Sequence, residues 1–253
     1  MLKSLKKQKQ KIRWSTLGVF DRNIGFYKYK FDQYFIYIRH PQHFKKKSKI
    51  IECCEEIIYH YYKPKNTDTV VDFGTGYGEE GVYIHKHSPN VRYIGIEPQP
   101  SVYECLANTF NKISDNFIAV PFAISNENKI QLSSNFMYLE VNSNGKPYIE
   151  IPTLSWDSFC KRYKIDQIDL LKMNIEGSEK WVLKEIQDFT PIKRLIVSCH
   201  DFRANRGDGE IFRTKKEVVS ILNENRYKIK TFDHMTADWQ KDWIYAEREH
   251  HKF

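Results

Sequence analysis

Val70-Val71-Asp72-Phe73-Gly74-Thr75-Gly76-Tyr77-Gly78-Glu79-Glu80 is an apolar strand that delivers three glycines at alternate positions and then opens an acidic helix. Glycine there can adopt positive φ and lets the backbone come close to a ligand. The pattern repeats downstream. Strands are predicted over 93–96, 117–124, 170–175 and 195–199, with helices from Glu79, from Pro100 to about 112, and over 154–163, 179–187 and 215–224. A helix over 51–62 precedes the first strand, 69–73, and the runs 227–232 and 243–247 form a closing antiparallel pair. Such alternation predicts an α/β doubly wound domain with a mostly parallel sheet covered on both faces. Residues 126–150, rich in Asn and Ser with apolar positions Ile130, Leu132, Tyr138 and Val141, read as an antiparallel excursion. Thr153, after Pro152, is the predicted cap of the helix that follows.

The turn is the candidate ligand site. Asp72, Phe73, Gly74, Thr75, Gly76 and Gly78 form it, and Ile94-Gly95-Ile96-Glu97-Pro98 places an acid 23 residues beyond the first glycine. From there a carboxylate can accept both hydroxyls of a ribose, so the pair implies an adenosine-bearing cofactor. Gly76 to Gly81 also satisfies the GxGxxG pattern of dinucleotide enzymes. In those, pyrophosphate sits on the helix N-terminus, where this chain has Glu79 and Glu80, and repulsion disfavours it. S-adenosylmethionine carries no phosphate and a sulfonium cation, which suits two acids.

The net charge of +8 is unevenly spread. Residues 1–49 hold 14 Lys and Arg against Asp21 and Asp32, a balance of +12, while the other 204 residues balance at −4. We therefore divide the chain into a basic, aromatic-rich arm over 1–49 and a domain over 50–253. The arm has Lys3, Lys6, Lys7, Lys9, Lys11 and Arg13 at one end and Lys45, Lys46, Lys47 and Lys49 at the other. Between them, Phe26, Tyr27, Tyr29, Phe31, Tyr34, Phe35 and Tyr37 predict a hairpin packed on the domain. The lysines suit solvent or a weak contact with an anionic membrane or partner. The DNA amino-methylation box and the Pro-Cys nucleophile are both missing, and the domain is acidic, which disfavours nucleic acid. Five cysteines without CxxC spacing and no apolar leader predict reduced thiols in a cytoplasmic protein.

Further landmarks follow in order: Pro121-Phe122-Ala123-Ile124-Ser125, Ile151-Pro152-Thr153-Leu154-Ser155-Trp156-Asp157 and Asp169-Leu170-Leu171-Lys172-Met173-Asn174-Ile175-Glu176-Gly177-Ser178-Glu179. With the glycine turn and Ile96-Glu97-Pro98, they make the chain resemble the FkbM family of methyltransferases from about Thr69 to Asp201. The resemblance implies a Rossmann-like class I methyltransferase fold with seven strands and O-methylation of a hydroxyl, on a sugar or a polyketide-type metabolite. It implies that Glu97 holds the ribose and that Ala123 and Ile124 flank the adenine. The family usually has Asp where this chain has Asn174, and a neutral amide can still orient a hydroxyl or the cofactor amine.

Transfer to a hydroxyl benefits from a base. His200, in Ser198-Cys199-His200-Asp201-Phe202 at a strand end, is the candidate, with Asp201 or Glu176 to orient its ring. Asn174, Glu176, His200 and Asp201 are also a candidate set for magnesium or manganese, although Lys172 and the absent aspartate weigh against it. Lys172 is expected to pair with Glu176 or reach the site. Arg203 and Arg206, in the loop beyond, are candidate holders of an acidic sugar or a phosphate. His85, His87, His250 and His251 read as surface residues. The competing reading is a non-catalytic subunit that keeps the cofactor fold and docks through its arm, with nucleic-acid methylation behind it.

Overall fold

The computed structural model describes residues 18–134, 139–141 and 148–248. The lysines and Arg13 of the opening run, Tyr138, His250 and His251 lie outside them. The chain enters through a three-stranded meander, β1 (Val19–Asp21), β2 (Phe26–Phe31) and β3 (Tyr34–Ile38), then a 3₁₀ turn Pro41–His43 and helix α1 (Lys47–Cys53). The wound domain continues with β4 (Thr69–Phe73), α2 (Glu79–His87), β5 (Arg92–Ile96), α3 (Pro100–Phe110) and β6 (Phe117–Val120). An excursion of β7 (Ala123–Ile124), β8 (Lys129–Ser134), β9 (Leu139–Val141) and β10 (Tyr148–Leu154) leads to α4 (Trp156–Arg162), β11 (Leu170–Met173) and α5 (Glu179–Glu185). Then come β12 (Arg194–Ser198), α6 (Asp201–Asn205), α7 (Lys215–Glu224), β13 (Tyr227–Thr231), α8 (Asp238–Lys241) and β14 (Trp243–Arg248).

The main sheet has seven strands in the order β13-β14-β12-β11-β4-β5-β6. The five strands from β12 to β6 are parallel; β14 runs antiparallel to β12, and β13 to β14. Strand order reverses between β4 and β11, and in open α/β sheets ligands bind beyond the carboxyl ends of the strands at such a point. Both faces are buried, as the continuous apolar strands require. Val71, Phe73, Ile94, Leu171 and Val197 face Trp156, Phe159, Leu183 and Leu222. Val70, Tyr93, Leu170 and Ile196 face the other core, which Tyr29, Phe31, Ile36, Tyr37 and Ile38 of the meander complete. The Tyr37 N–H donates to Thr109 Oγ1 on α3 at 3.0 Å.

Several boundaries differ from the sequence expectation, each for a local reason. The strand expected over 117–124 breaks at Pro121, which has no N–H for a ladder. β6 stays in the main sheet, while β7 pairs in parallel with β10 in a separate four-stranded sheet. That pairing takes Thr153 and Leu154 into a strand, so the cap of α4 is Ser155, whose side chain accepts the Ser158 N–H. The helix expected over 51–62 begins at Lys47 and widens into a π turn over Cys54–Ile58, where the Tyr59 N–H reaches Cys54 O at 2.8 Å. The strand expected to reach Ile175 ends at Met173, because the Ile175 N–H turns to the Glu179 carboxylate.

Candidate active site

A cleft of about 620 Å³ opens beyond the strand ends, lined by Phe73, Gly74, Thr75, Gly76, Glu97, Pro98, Ala123 and Ile124, and, from the chain after β11 that packs on Gly74, by Asn174 and Glu176. This volume falls within the roughly 300–1,000 Å³ that small-molecule sites occupy. The glycine turn is tied to β5, since the Gly74 and Thr75 N–H groups both donate to Ile96 O, at 3.0 and 3.2 Å. Gly74 has φ +77°, and a Cβ there would stand 2.1 Å from Asn174 O, so its role is close packing of β4 against the chain after β11. Gly76 has φ +60° and lines the cleft, and a Cβ on it would meet no protein atom within 4 Å. Room beside that backbone is therefore left for a ligand.

Glu97 is 9% exposed; its Oε2 accepts the Gly76 N–H at 3.1 Å and its Oε1 the Gln99 N–H at 3.0 Å. Burial pushes its carboxyl up to about 7, against the pull of those two N–H groups. A buried carboxylate on the glycine turn, with lone pairs left over, fits the paired hydroxyls of a ribose.

Three of the expected cofactor and catalytic residues stand elsewhere. Asp72 and Lys172 pair across the register of β4 and β11, with Lys172 Nζ 2.7 Å from Asp72 Oδ1 and 3.1 Å from Gly74 O. Tyr93 Oη donates to the other Asp72 oxygen at 2.6 Å. Even-numbered positions of these strands face the core under the meander, so neither side chain lines the cleft, and Lys172 pairs with Asp72 instead of Glu176. Gly78 starts α2 at φ +90° and packs on Phe110 and Leu106 instead of a ligand.

The cleft has a wall that the sequence did not announce. Gln42, His43, Phe44 and Lys45, at the end of the arm, line it beside the glycine turn. His43 stacks on Tyr77 with centroids 5.5 Å apart, and its Nδ1 lies 2.5 Å from Tyr77 Oη. Burial, with His40, Arg39 and Lys45 nearby, brings His43 down to about 4, so the ring is neutral. Only the docking of the meander brings this segment to the turn, which is why no spacing in the sequence revealed it.

A second chamber, also of about 620 Å³, adjoins the first and shares Lys45, Glu80, Asn174 and Glu176 with it. His200, Phe202, Trp239, Trp243, Lys46 and Lys49 are among the residues that line it. His200 is 3% exposed, with Nδ1 3.0 Å from Glu179 Oε1 and Nε2 3.7 Å from Glu176 Oε2. Burial pulls its pKa down, but the Glu179 carboxylate, with Glu176 behind it, outweighs burial and holds it above the ordinary value. Glu179 is itself fixed by the Ile175 and Gly177 N–H groups, at 3.0 and 3.4 Å. Glu176 sits at φ +54°, a left-handed conformation uncommon for a residue with a side chain, and Arg203 Nη1 holds its Oε2 at 2.8 Å.

The expected orienting group Asp201 turns away. Its Oδ1 accepts the Thr214 and Lys215 N–H groups at the start of α7, so Glu179 and Glu176 take its place beside the ring. The magnesium or manganese set fails for the same reason: Asp201 is committed to α7, and Arg203 competes for Glu176. Among the described residues no group of three His, Cys, Asp or Glu side chains could hold a metal. Arg203 and Arg206 both engage Asp208, and the Arg203 guanidinium stacks 3.7 Å over Phe212.

A parallel sheet reversed at β4 and β11 thus carries a glycine turn under a buried acid, with a second chamber that meets the first at Asn174 and Glu176. The chain matches the methyltransferase FkbM domain over residues 72–229 and belongs to that family. The crystal structure of methyltransferase FkbM from Methylobacillus flagellatus KT is similar at TM-score 0.51 and 20% identity, over 74% of this chain and 45% of that one. This chain thus spans less than half of that protein. A SAM-dependent methyltransferase from Aquifex aeolicus is similar at TM-score 0.43 and 17% identity, over 80% and 97% of the two chains. TYW2 of M. jannaschii, solved with AdoMet, is similar at TM-score 0.47 and 12% identity, over 88% and 86%. No curated protein sequence matches the chain. Among the described residues no helix is long and apolar enough to cross a membrane.

Proposed function

We propose that the protein methylates a hydroxyl of a sugar, on a glycan or a glycan precursor, and that His200 is the base. The observation that carries this reading is that His200 lies in the chamber beside the cofactor cleft, held between Glu179 and Glu176. S-adenosylmethionine supplies an electrophilic methyl group on sulfur. Glu97 would accept the ribose hydroxyls, Ala123 and Ile124 would cover the adenine, and the carboxylate of Glu80, which lines both chambers, would offset the positive charge on sulfur. Asn174, at the junction, orients the acceptor hydroxyl or the cofactor amine through its amide. Bound here, S-adenosylmethionine would give its methyl group to the acceptor oxygen and leave as S-adenosylhomocysteine, and His200 Nε2 would take the hydroxyl proton. Alignment of oxygen, carbon and sulfur by the two chambers supplies much of the acceleration. The sugar acceptor rests on family resemblance, and the cytoplasm is proposed from the five free thiols.

The test is transfer of a tritiated methyl group from S-adenosylmethionine to a panel of sugars, with wild type beside His200→Gln. Transfer to a sugar hydroxyl that falls in the variant supports the reading. Transfer to sugars that His200→Gln leaves unchanged removes the base, and transfer only to nitrogen acceptors removes the O-methylation.

A further inference from the structure

We propose that the acceptor is an anionic sugar, one carrying a phosphate or a carboxylate, and that Lys46 of the arm binds its charge while Trp239 covers its ring; this rests on the proposed function. The second chamber contains three carboxylates and three ammonium groups, and most are already matched. Glu79, whose side chain is 1% exposed, lies 3.3 Å from Lys45 Nζ. Glu176 is held by Arg203, and Lys49 leans outward to Glu52 at 2.6 Å. Lys46 and Glu80 remain, and neither makes an ion pair among the described residues. Glu80 lines both chambers, where the sulfonium of the cofactor belongs, so with cofactor in place Lys46 is the charge still unmatched. A neutral sugar leaves it so; a phosphate or carboxylate on the sugar matches it through a charge-assisted hydrogen bond from this exposed lining lysine.

The aromatic side of the chamber suits the rest of such a molecule. Trp239 is 42% exposed although it lines the chamber, and Phe202 and Trp243 stand beside it. An indole left open to water in a cavity wall presents a flat apolar surface that the apolar face of a pyranose can cover, with polar groups at the rim for its hydroxyls. The arginines that the sequence offered for an anion are engaged with Glu176 and Asp208, so this role moves to the arm.

The experiment is calorimetry on protein saturated with S-adenosylhomocysteine, titrated with glucose, glucose 1-phosphate, glucuronate and inorganic phosphate. Wild type, Lys46→Glu and Trp239→Ala are compared, with the dissociation constant for S-adenosylhomocysteine measured in each as a check of the fold. Glucose 1-phosphate or glucuronate is expected to bind at least about tenfold tighter than glucose, and which of the two does so tells phosphate from carboxylate. Lys46→Glu should abolish that preference with S-adenosylhomocysteine binding unchanged. Trp239→Ala should weaken the charged sugar and leave inorganic phosphate as it was. Equal binding of glucose and its charged forms, a preference that survives in Lys46→Glu, or no binding by any of the four overturns the inference and leaves the methyltransferase intact. Failure of wild type to bind S-adenosylhomocysteine overturns the cofactor reading, and this inference with it.

Discussion

Glu179 Oε1 lies 3.0 Å from His200 Nδ1 and accepts the Ile175 N–H at the same distance, so one fully buried carboxylate holds both the candidate base and the loop that follows β11. With Nδ1 facing Glu179, Nε2, on the Glu176 side, is the nitrogen assigned to the acceptor. Its charge also raises the affinity of His200 for a proton, and only the neutral ring can accept one from a hydroxyl. We expect kcat to rise with pH through an apparent pKa above the ordinary histidine value. Glu176→Gln removes one of the two carboxylates and should move that pKa down, while His200→Gln should lower kcat by roughly 10²–10⁴-fold. Binding of S-adenosylhomocysteine should be unchanged in His200→Gln. A pH profile of kcat that ignores both substitutions would remove His200 from the chemistry. The same shift gives a stability signature: the raised pKa contributes stability that is present below the unfolded value and lost as pH rises through the folded one.

Glu97 gives a different pH dependence. Its carboxyl is pushed up to about 7 by burial, and ribose hydroxyls donate to its ionised form. Cofactor binding therefore releases a proton wherever Glu97 is protonated in the empty cleft, and affinity should increase as pH rises toward and past 7. In the free protein the sign is opposite, since ionising a buried acid with a raised pKa loses stability between the unfolded value and about 7. Thermal stabilisation by S-adenosylhomocysteine should accordingly be larger at pH 8 than at pH 6. Glu97→Gln should flatten this difference and weaken binding by about 1–3 kcal/mol, the cost of losing charged hydrogen bonds. Calorimetry across that range checks both.

The glycine turn separates packing from binding. Gly74→Ala puts a Cβ 2.1 Å from a backbone oxygen at φ +77°, and the protein should lose stability by several kcal/mol or fail to fold. Gly76→Ala meets no protein atom, so it should fold with a loss of only about 1 kcal/mol from its φ of +60°. Its methyl group would nevertheless compete with ligand, and binding of S-adenosylhomocysteine should fall by tenfold or more. Circular dichroism melts with calorimetry on the two variants distinguish these outcomes; equal effects of both on melting would contradict them.

Much of this was legible locally. Alternation of helices and apolar strands is a short-range pattern, and it fixed the parallel strands, the glycine turn and the closing antiparallel pair. The position of Glu97 beside the glycine turn was legible because it depends on two strand ends that neighbour one another in a wound sheet. What escaped depends on side-chain direction and on contacts between distant segments. Asp72 and Lys172 lie in the motif blocks, yet their parity on the strands aims them at the opposite core. Asp201 follows His200 directly, but one step along the chain is enough to put its carboxylate on α7. The wall formed by Gln42, His43, Phe44 and Lys45 exists only because the meander docks on α3. Glu179, read as part of a family block, proved to be the partner of His200 only once the turn after Met173 was seen to fold back.

The pair of Lys172 and Asp72 supplies the last prediction. Both side chains are buried, and Lys172 Nζ also donates to Gly74 O, so the pair anchors the first glycine of the turn from beneath. Removing one member strands the other charge in the core, a loss of about 3–5 kcal/mol for a buried pair. Lys172→Met should therefore be strongly destabilising. Combining it with Asp72→Asn removes both charges and should recover a large part of the loss, since neutral replacements of a buried pair are often close to harmless. Recovery of stability need not restore binding. The double variant still lacks the ammonium that holds Gly74 O, so it should fold with weaker binding of S-adenosylhomocysteine than wild type. Urea unfolding gives the stabilities and calorimetry the binding. A double variant no more stable than Lys172→Met would mean that the pair acts through packing of the lysine stem, and one with wild-type binding would show that the turn needs no anchor.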